Sequence, residues 1–250
     1  MCPALWLLRP LILGHPFFSF PLTLEPADPQ PLLTMPIFLL SDEVTFPPPH
    51  FAEKDGLLAI GGDLSQERIL KAYASGIFPW YTEGSPILWW SSDPRLVLFP
   101  DELKVSRSLR QCIRKGMFTI SINTAFERVI RSCAEIGRKG QSDTWITRDM
   151  EAAYIALYHA GYAISVESWE GDQLAGGLYG IILGKVFFGE SMFAKKSNAS
   201  KAAFVACVEH LKQKGFRIID CQMKTKHLLS LGARELSRAA YLQILKKALL

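Results

Sequence analysis

The chain has 250 residues, of which 49% are hydrophobic and 21% are charged, and its net charge is +4. This composition is typical of a globular protein and excludes a disordered chain, while the small basic excess is compatible with a nucleic-acid partner without indicating one. The five cysteines are odd in number and none are spaced as Cys-x-x-Cys. That pattern argues against a disulfide framework and a zinc site, and it favours a reducing cytoplasm.

Residues 1–34 contain apolar stretches that prolines interrupt repeatedly. A helix that crosses a membrane needs an unbroken apolar run, and a signal peptide needs a small-residue cleavage site, so the sequence favours neither. The stretch beginning at Met35 resembles a natural protein start. We therefore expect residues 1–34 to be a disordered or mis-assigned extension.

The first predicted helix spans residues 63–76 and places Ile69, Leu70 and Tyr73 on one face. An aromatic-rich loop follows, with Trp80 and then the pair at 89–90. These aromatic residues fit either the core of a small domain or the wall of a pocket for an apolar group, and the core is the commoner arrangement.

Residues 106–115 predict a short helix on which Arg107, Arg110 and Arg114 share one face. Such a stripe is most often an ordinary solvated surface. It also fits a surface that contacts nucleic-acid phosphates, because guanidinium groups hold phosphate oxygens well.

The second half of the chain predicts a mixed sheet with helices. Thr124 and Glu127 have the spacing of a capping box at a helix start. Residues 144–147 lead into a predicted helix that ends near Gly161, and three strands within 162–190 follow, with turns at 170–172 and 183–184. The remaining predicted elements are a helix at 198–214, a strand at 217–221, a short helix ending at 232 and a last helix from about 237.

This order indicates an α/β or α+β layer with a mixed sheet, and it matches the general arrangement of N-acyltransferase domains. A polar stretch at 138–142 suggests a boundary. We predict a small N-terminal domain at 35–140 and an acyltransferase-like catalytic domain at 141–250. Within the central predicted strand, Gly176, Gly177 and Gly180 indicate the close approach of a ligand or of another backbone.

Two apolar runs of strand character lead to carboxylates, Glu190 in FFGESMF (187–193) and Asp220 in IIDCQ (218–222). Carboxylates at neighbouring strand ends are expected to be solvated enough to stay charged and to share one acidic site. Helix capping is the alternative for either residue taken alone.

Together these stretches resemble the leucyl/phenylalanyl-tRNA–protein transferase family. The similarity runs in family order from about residue 45 to 241 and excludes residues 1–34. The matching motifs are GLLAIGGDL at 56–64, GIFPW at 76–80, WWS at 89–91 with DPR at 93–95, TWIT at 144–147, GGLYG at 176–180, GESMF at 189–193, NASK at 198–201, DCQ at 220–222 and SLGA at 230–233.

The resemblance implies transfer of Leu or Phe from aminoacyl-tRNA to the α-amino group of a protein that begins with Arg or Lys, which creates an N-terminal degradation signal. It implies a small N-terminal α/β domain joined to an acetyltransferase-like C-terminal domain with a mixed β-sheet flanked by helices. Aminolysis of an ester needs no ATP, metal or redox cofactor. We expect a cytoplasmic enzyme, a monomer, with no membrane partner.

The resemblance also implies the catalytic roles. Asp220 and Gln222 match residues that act together, and Asp220 is expected to orient or polarise Gln222, which positions the attacking amine. An Asp with an ordinary pKa near ~3.9 is a poor direct proton acceptor. Glu190 matches the carboxylate that meets the cationic side chain of the acceptor.

Trp80, Trp145 and Leu178 match positions that line or border the pocket for the donor side chain, and Tyr73 and Phe187 are further candidates for this pocket. Such an apolar pocket discriminates by roughly 1–3 kcal/mol per methylene.

Arg107 and Arg114 are the candidates for tRNA phosphate contacts. Thr225 stands where the family usually has Asn, so it can cap the following helix but cannot supply an amide contact. His227 keeps its usual place in the family, and we expect it to have a structural role and not to act as a base.

Two alternatives stay open at this point. An acetyl-CoA-dependent N-acetyltransferase shares the predicted fold, but its phosphate-binding loop is Gly-rich, whereas residues 194–200 contain no glycine. A non-catalytic RNA-binding protein would explain the Arg stripe and the aromatic residues. It would not explain Glu190 and Asp220, because carboxylates repel phosphate.

Overall fold

The computed structural model describes residues 37–136 and 145–250, which form two sheets with helices packed on them. The smaller sheet has four strands in the order β1-β2-β4-β3. Its elements, with the helix that follows β2, are β1 (Phe38–Leu40), β2 (Leu57–Gly61), α1 (Gln66–Ala74), β3 (Phe78–Pro79) and β4 (Leu88–Trp90). Two single 3₁₀ turns occur at Pro49–Phe51 and Pro100–Glu102.

The larger sheet has seven strands in the order β11-β5-β10-β9-β8-β7-β6. The remaining elements are β5 (Arg95–Leu98), α2 (Arg107–Arg114), β6 (Thr119–Ile122), α3 (Phe126–Glu135), α4 (Arg148–His159), β7 (Ala163–Glu170), β8 (Gln173–Leu183), β9 (Val186–Ala194), α5 (Ala199–Gln213), β10 (Ile218–Gln222), α6 (Lys226–Ser230), β11 (Arg234–Leu236) and α7 (Arg238–Ala248). Strands β9 and β10 are parallel, and the other pairs of this sheet are antiparallel. The predicted α+β class with a mixed sheet is confirmed.

Local sequence explains where most helices begin. The side chains of Ser65, Ser106, Thr147 and Ser237 each accept a hydrogen bond from a backbone N–H in the first turn of α1, α2, α4 and α7. These caps satisfy donors that have no partner within the helix. The predicted helices at these places are confirmed.

The predicted capping box at Thr124 and Glu127 is wrong. Helix α3 begins after Ala125, which provides no side-chain cap. The carboxylate of Glu167 on β7 takes that part, since it accepts hydrogen bonds from the Ala125 N–H at 3.3 Å and from the Thr124 hydroxyl at 3.1 Å. A contact across more than forty residues has replaced the local one.

Tight turns join β7, β8 and β9 into the predicted three-stranded meander. Gly171 and Gly184 occupy the turns with positive φ, a conformation that a residue with a Cβ atom rarely adopts. In β8, a Cβ atom at Gly176 would lie 2.7 Å from Ala199 Cβ on α5, and one at Gly180 would overlap the Phe188 carbonyl. The strand glycines therefore permit close approach of the protein's own atoms.

The predicted extension at 1–34 and the predicted domain boundary near residue 140 lie outside the described residues, and both stay predictions. Strands β5 and β6, which precede residue 140, pair within the larger sheet. Across residues 37–136 and 145–250, no helix is both long and apolar enough to cross a membrane.

Candidate active site

The parallel pairing of β9 and β10 brings Glu190 and Asp220 together. Asp220 lies opposite Phe188, two residues before Glu190 on the neighbouring strand. Glu190 lies in the interior of β9 (Val186–Ala194). The sequence-based expectation that it lies at a strand end is therefore wrong. Beyond Asp220 the pairing of β10 with β5 slips by one residue, and Gln222 adopts φ +53°. Such a bulge changes the direction of the side chains that follow it.

A cavity of about 610 Å³ opens beside these strands. Its wall combines apolar side chains from both sheets with a few polar groups. The lining residues that bear on function are Phe78, Trp80, Trp145, Leu178, Phe187, Glu190, Phe204, Gln222, Lys224, Thr225 and His227. A large, mostly apolar cavity with a small number of convergent polar groups is the usual form of a ligand site.

Asp220 lies beneath the cavity and does not line it. Its side chain is fully buried, so the expectation that it would be solvated is wrong. Arg95 on β5 donates from Nε to Oδ1 at 2.8 Å and from Nη2 to Oδ2 at 2.6 Å, and the Tyr241 hydroxyl donates to Oδ2 at 2.6 Å. The guanidinium group compensates the buried charge.

Gln222 connects the two carboxylates. Its backbone N–H donates to Asp220 Oδ1 at 2.9 Å, and its side-chain Nε2 donates to Glu190 Oε1 at 3.1 Å. The predicted proximity of Glu190 and Asp220 is therefore present, with Gln222 between them. The Tyr154 hydroxyl donates to Glu190 Oε2 at 2.9 Å, and Tyr73 and Tyr154 hydroxyls lie 2.6 Å apart.

Burial raises the pKa of Glu190 to about 7, and the negative charge of Asp220 contributes in the same direction. Hydrogen bonds from tyrosine hydroxyls and from Gln222 favour the ionised form and only partly oppose these effects. Within the described part of the chain, Glu190 forms no salt bridge. A cation that entered the cavity could therefore pair with it.

The predicted donor-pocket residues mostly lie on the cavity wall. Trp80, Trp145, Leu178 and Phe187 all line it, whereas Tyr73 does not. Tyr73 is fully buried behind the wall, where its ring packs edge-on against Phe188 at 4.9 Å. The aromatic stretch at 77–90 thus serves both purposes, because Trp89 is buried in the core while Trp80 faces the cavity.

The predicted phosphate-contacting arginines lie elsewhere. Arg107 and Arg114 are exposed on α2, which packs against α5, and neither lines the cavity. Helix α5 contributes Phe204 to the cavity wall. The stripe is therefore available to solvent, one helix away from the cavity.

Thr225 caps α6, because its Oγ1 accepts a hydrogen bond from the Leu228 N–H at 3.2 Å. His227 lies in the same turn, where burial and the nearby Lys201 lower the pKa of its imidazole. Both residues line the cavity. The capping role predicted for Thr225 is present.

Sequence reasoning missed three residues of this site, namely Arg95, Tyr154 and Tyr241. The signal for Arg95 is its place in the DPR motif at the start of an apolar run, because a buried cation there needs an anionic partner. Tyr154 and Tyr241 lie on helices α4 and α7 and had no distinguishing pattern. In the described residues, no group of three or more His, Cys, Asp or Glu is placed to hold a metal ion.

Comparison with known proteins identifies related sequences over most of the chain. The family model described as leucyl/phenylalanyl-tRNA protein transferase matches residues 97–246, and the model of the N-terminal domain of that transferase matches residues 62–93. A leucyl/phenylalanyl-tRNA–protein transferase of Syntrophobacter fumaroxidans is 58% identical over 211 residues, which cover 84% of this chain and 90% of that protein. One from Myxococcus xanthus is 54% identical over 217 residues, covering 86% and 93%.

Similarity to solved structures is slight. An aminoglycoside acetyltransferase from an uncultured soil sample, crystallised with sisomicin, is 13% identical over 46% of this chain and 84% of its own, with a TM-score of 0.36. The L-PGS structure from Bacillus licheniformis is 14% identical over 67% of this chain and 53% of its own, with a TM-score of 0.38. Neither value supports a conclusion about fold or function.

Proposed function

Because the chain belongs to the leucyl/phenylalanyl-tRNA–protein transferase family, it is an aminoacyltransferase, and we propose that it moves Leu or Phe from aminoacyl-tRNA to an N-terminal Arg or Lys. The observation that carries this specificity is Glu190, a carboxylate on the wall of a mostly apolar cavity with no cationic partner among the described residues. The apolar part of such a wall suits the Leu or Phe side chain of the donor, and the carboxylate suits the basic residue of the acceptor.

The reaction is aminolysis of the ester that joins the amino acid to the terminal ribose. The neutral α-amine attacks the ester carbonyl carbon, a C–N bond forms, the C–O bond breaks, and the ribose hydroxyl leaves while the amine nitrogen loses a proton. An α-amine has a pKa near ~8, so an appreciable neutral fraction exists at neutral pH. The protein therefore acts mainly by holding amine and ester in reacting geometry.

Gln222 is the residue that positions the attacking amine in this proposal. It lines the cavity, and its amide is fixed against Glu190 Oε1. Asp220 orients Gln222 through the backbone N–H. Since Arg95, Tyr241 and Gln222 donate four hydrogen bonds to the two Asp220 oxygens, its acceptor sites are occupied, which supports orientation over proton uptake.

The donor side chain would occupy the apolar part of the wall formed by Trp80, Trp145, Leu178 and Phe187. This surface offers contact area without hydrogen-bonding requirements, which suits Leu and Phe. Arg107 and Arg114 are exposed, and in this proposal they contact the phosphates of the tRNA. Action as a monomer in the cytoplasm and the creation of a degradation signal are parts of the same proposal.

A label-transfer assay tests the proposal. Radiolabelled Leu-tRNA is incubated with a protein that begins with Arg, and the same protein beginning with Ala is the control. Label is expected on the Arg protein alone. Transfer to both proteins would contradict the acceptor specificity, and binding of tRNA without transfer would contradict the reaction. Titration with acetyl-CoA addresses the N-acetyltransferase alternative, which micromolar binding would favour.

A further inference from the structure

Arg95 and Tyr241 lie outside the cavity, yet both contact the carboxylate that orients Gln222. We propose that they are positioning residues, which act through Asp220 to fix the Gln222 amide against Glu190. This inference rests on the proposed function, because Gln222 is the residue assigned to hold the amine. It extends the site to two residues that the reaction itself never touches.

The first step is the fixation of Asp220 from two elements. Arg95 on β5 forms a bidentate interaction with the Asp220 carboxylate, donating one hydrogen bond to each oxygen at 2.8 and 2.6 Å. Tyr241 on α7 adds a third at 2.6 Å. A bidentate charged pair together with a third donor sets the orientation of the carboxylate plane, which a single contact would leave free to rotate.

The second step runs from Asp220 to Gln222. The Gln222 backbone has φ +53°, in the left-handed region that residues other than glycine rarely occupy. A conformation of this kind persists only where the surroundings hold it. The 2.9 Å hydrogen bond from the Gln222 N–H to Asp220 Oδ1 is such a restraint, and the resulting backbone turn carries the amide to 3.1 Å from Glu190 Oε1.

The third step concerns the way Arg95 itself is held. Its guanidinium carbon lies 4.6 Å from the centroid of Phe78 and 4.8 Å from that of Tyr241, and the side chain is fully buried. Well-packed apolar residues often match or exceed the stability that a buried ion pair provides. Stability alone therefore does not explain this pair, whereas a need for fixed geometry beneath Gln222 does.

The conservative variant Tyr241→Phe removes one hydroxyl and keeps the ring on Arg95. We expect kcat for label transfer to fall about tenfold with little change in KM for the acceptor, since a small misplacement of a positioning group slows the step more than binding. Arg95→Lys should lower kcat by about 100-fold. Tyr158→Phe is the matched control, because it removes a hydroxyl that bonds the Asn123 carbonyl at 3.0 Å, and it should leave kcat unchanged.

Coupling to Gln222 separates positioning from general destabilisation. In a Gln222→Ala background, Tyr241→Phe should cause no further fall in kcat, because its effect passes through the missing side chain. An equal fall in both backgrounds would overturn the proposal.

The side-chain amide of Gln222 gives a second measurement that needs no catalysis. Its ¹H–¹⁵N signal, assigned by its absence in Gln222→Ala, should shift in Tyr241→Phe and stay in place in Tyr158→Phe. An unmoved signal in Tyr241→Phe overturns the positioning even if the wild-type protein transfers label. Absence of transfer by the wild-type protein overturns the proposed function instead, so the two failures are distinguishable.

Discussion

Asp220 and Glu190 are carboxylates on adjacent parallel strands, but their surroundings differ in one decisive respect. Asp220 is fully buried and paired with Arg95, whereas Glu190 faces the cavity and, among the described residues, accepts hydrogen bonds from neutral donors, which include Tyr154 and Gln222. Among the described residues, Arg95 compensates the first charge and no cation pairs with the second, and burial raises the pKa of Glu190 to about 7. The difference suggests that Asp220 belongs to the framework and that Glu190 receives a substrate cation.

The largest expected effect comes from Asp220→Ala. It leaves the Arg95 guanidinium buried without a counter-ion, which lowers the free energy of unfolding by about 3–5 kcal/mol. It also removes the acceptor of the Gln222 N–H, so transfer is lost while tRNA binding, measured below the melting temperature, is retained. Denaturant unfolding provides the stability measurement.

Glu190→Ala is the matched control for that prediction. It removes a carboxylate that has no cationic partner in the described structure and so leaves no buried charge behind, and at neutral pH its unfolding free energy should change by less than that of Asp220→Ala. Equal losses in the two variants would show that the two carboxylates do not differ as we infer.

Stability as a function of pH should report Glu190 directly. Its folded pKa of about 7 exceeds the unfolded value of 4.5, so the folded state binds the proton more tightly between these values. Its contribution is fully present below about pH 4.5 and is lost as pH rises to about 7, by up to about 3 kcal/mol. Unfolding is measured at about pH 5 and about pH 8 for wild type and Glu190→Gln.

The variant should show a smaller decrease in stability than wild type over that interval. Wild type and variant share every other titratable group, so only the difference between the two proteins is interpreted. A decrease of equal size in both would mean that burial does not raise the pKa of Glu190.

Acceptor selection is the next effect. Glu190→Gln replaces a charged hydrogen bond, worth about 1.5–3 kcal/mol, with a neutral one. We expect kcat/KM for an acceptor beginning with Arg to fall by about 10- to 100-fold, while an acceptor beginning with Ala is affected little. Peptide acceptors that differ only at that residue measure the ratio. An unchanged preference for Arg would place the selecting charge elsewhere.

The sequence predicts the surroundings of Glu190 better than those of Asp220. The residues that face the cavity, Glu190 and Gln222, stand in motifs that the family resemblance makes readable. Arg95 also stands in such a motif, DPR at 93–95, but nothing local shows that it pairs with Asp220, because the two residues are 125 apart and meet only when β5 and β10 pair in the sheet. Local patterns cannot carry that information, and the solvation expected for Asp220 was wrong for this reason.

The fold shows the same division between local and long-range contacts. Helices with a Ser or Thr cap and the meander with glycine turns were predicted, since their signals lie within a few residues. Strands β5, β6 and β11 were missed because each has only three or four residues and depends on its neighbours in the sheet. The cap of α3 was misassigned because Glu167, a distant residue, supplies it.

Variants of the Arg stripe test whether positive charge outside the cavity contributes to tRNA binding, as the charge of Glu190 inside it is expected to contribute to acceptor binding. Reversal of Arg107 and Arg114 to Glu should lower tRNA affinity by about tenfold or more at low salt and reduce the salt dependence of binding. Reversal of Lys246 and Lys247, exposed residues at the end of α7, changes net charge equally and is the control. If both double variants weaken binding alike, the stripe is an ordinary solvated surface.

The smallest effect is expected at Thr225, an uncharged residue on the cavity wall whose hydroxyl caps α6. Thr225→Ala removes the cap and should lower the free energy of unfolding by about 1 kcal/mol, whereas Thr225→Asn keeps a capping oxygen and should change it by a few tenths. Asn at this position would also add an amide to the cavity wall, and if one neutral hydrogen bond to substrate forms we expect kcat/KM to rise by about 2- to 10-fold. Unfolding and label transfer are measured on both variants.

If Thr225→Asn destabilises the protein as much as Thr225→Ala, the cap does not depend on a side-chain oxygen. If it leaves transfer unchanged, recognition in this cavity depends on Glu190 and Gln222 without help from the α6 turn.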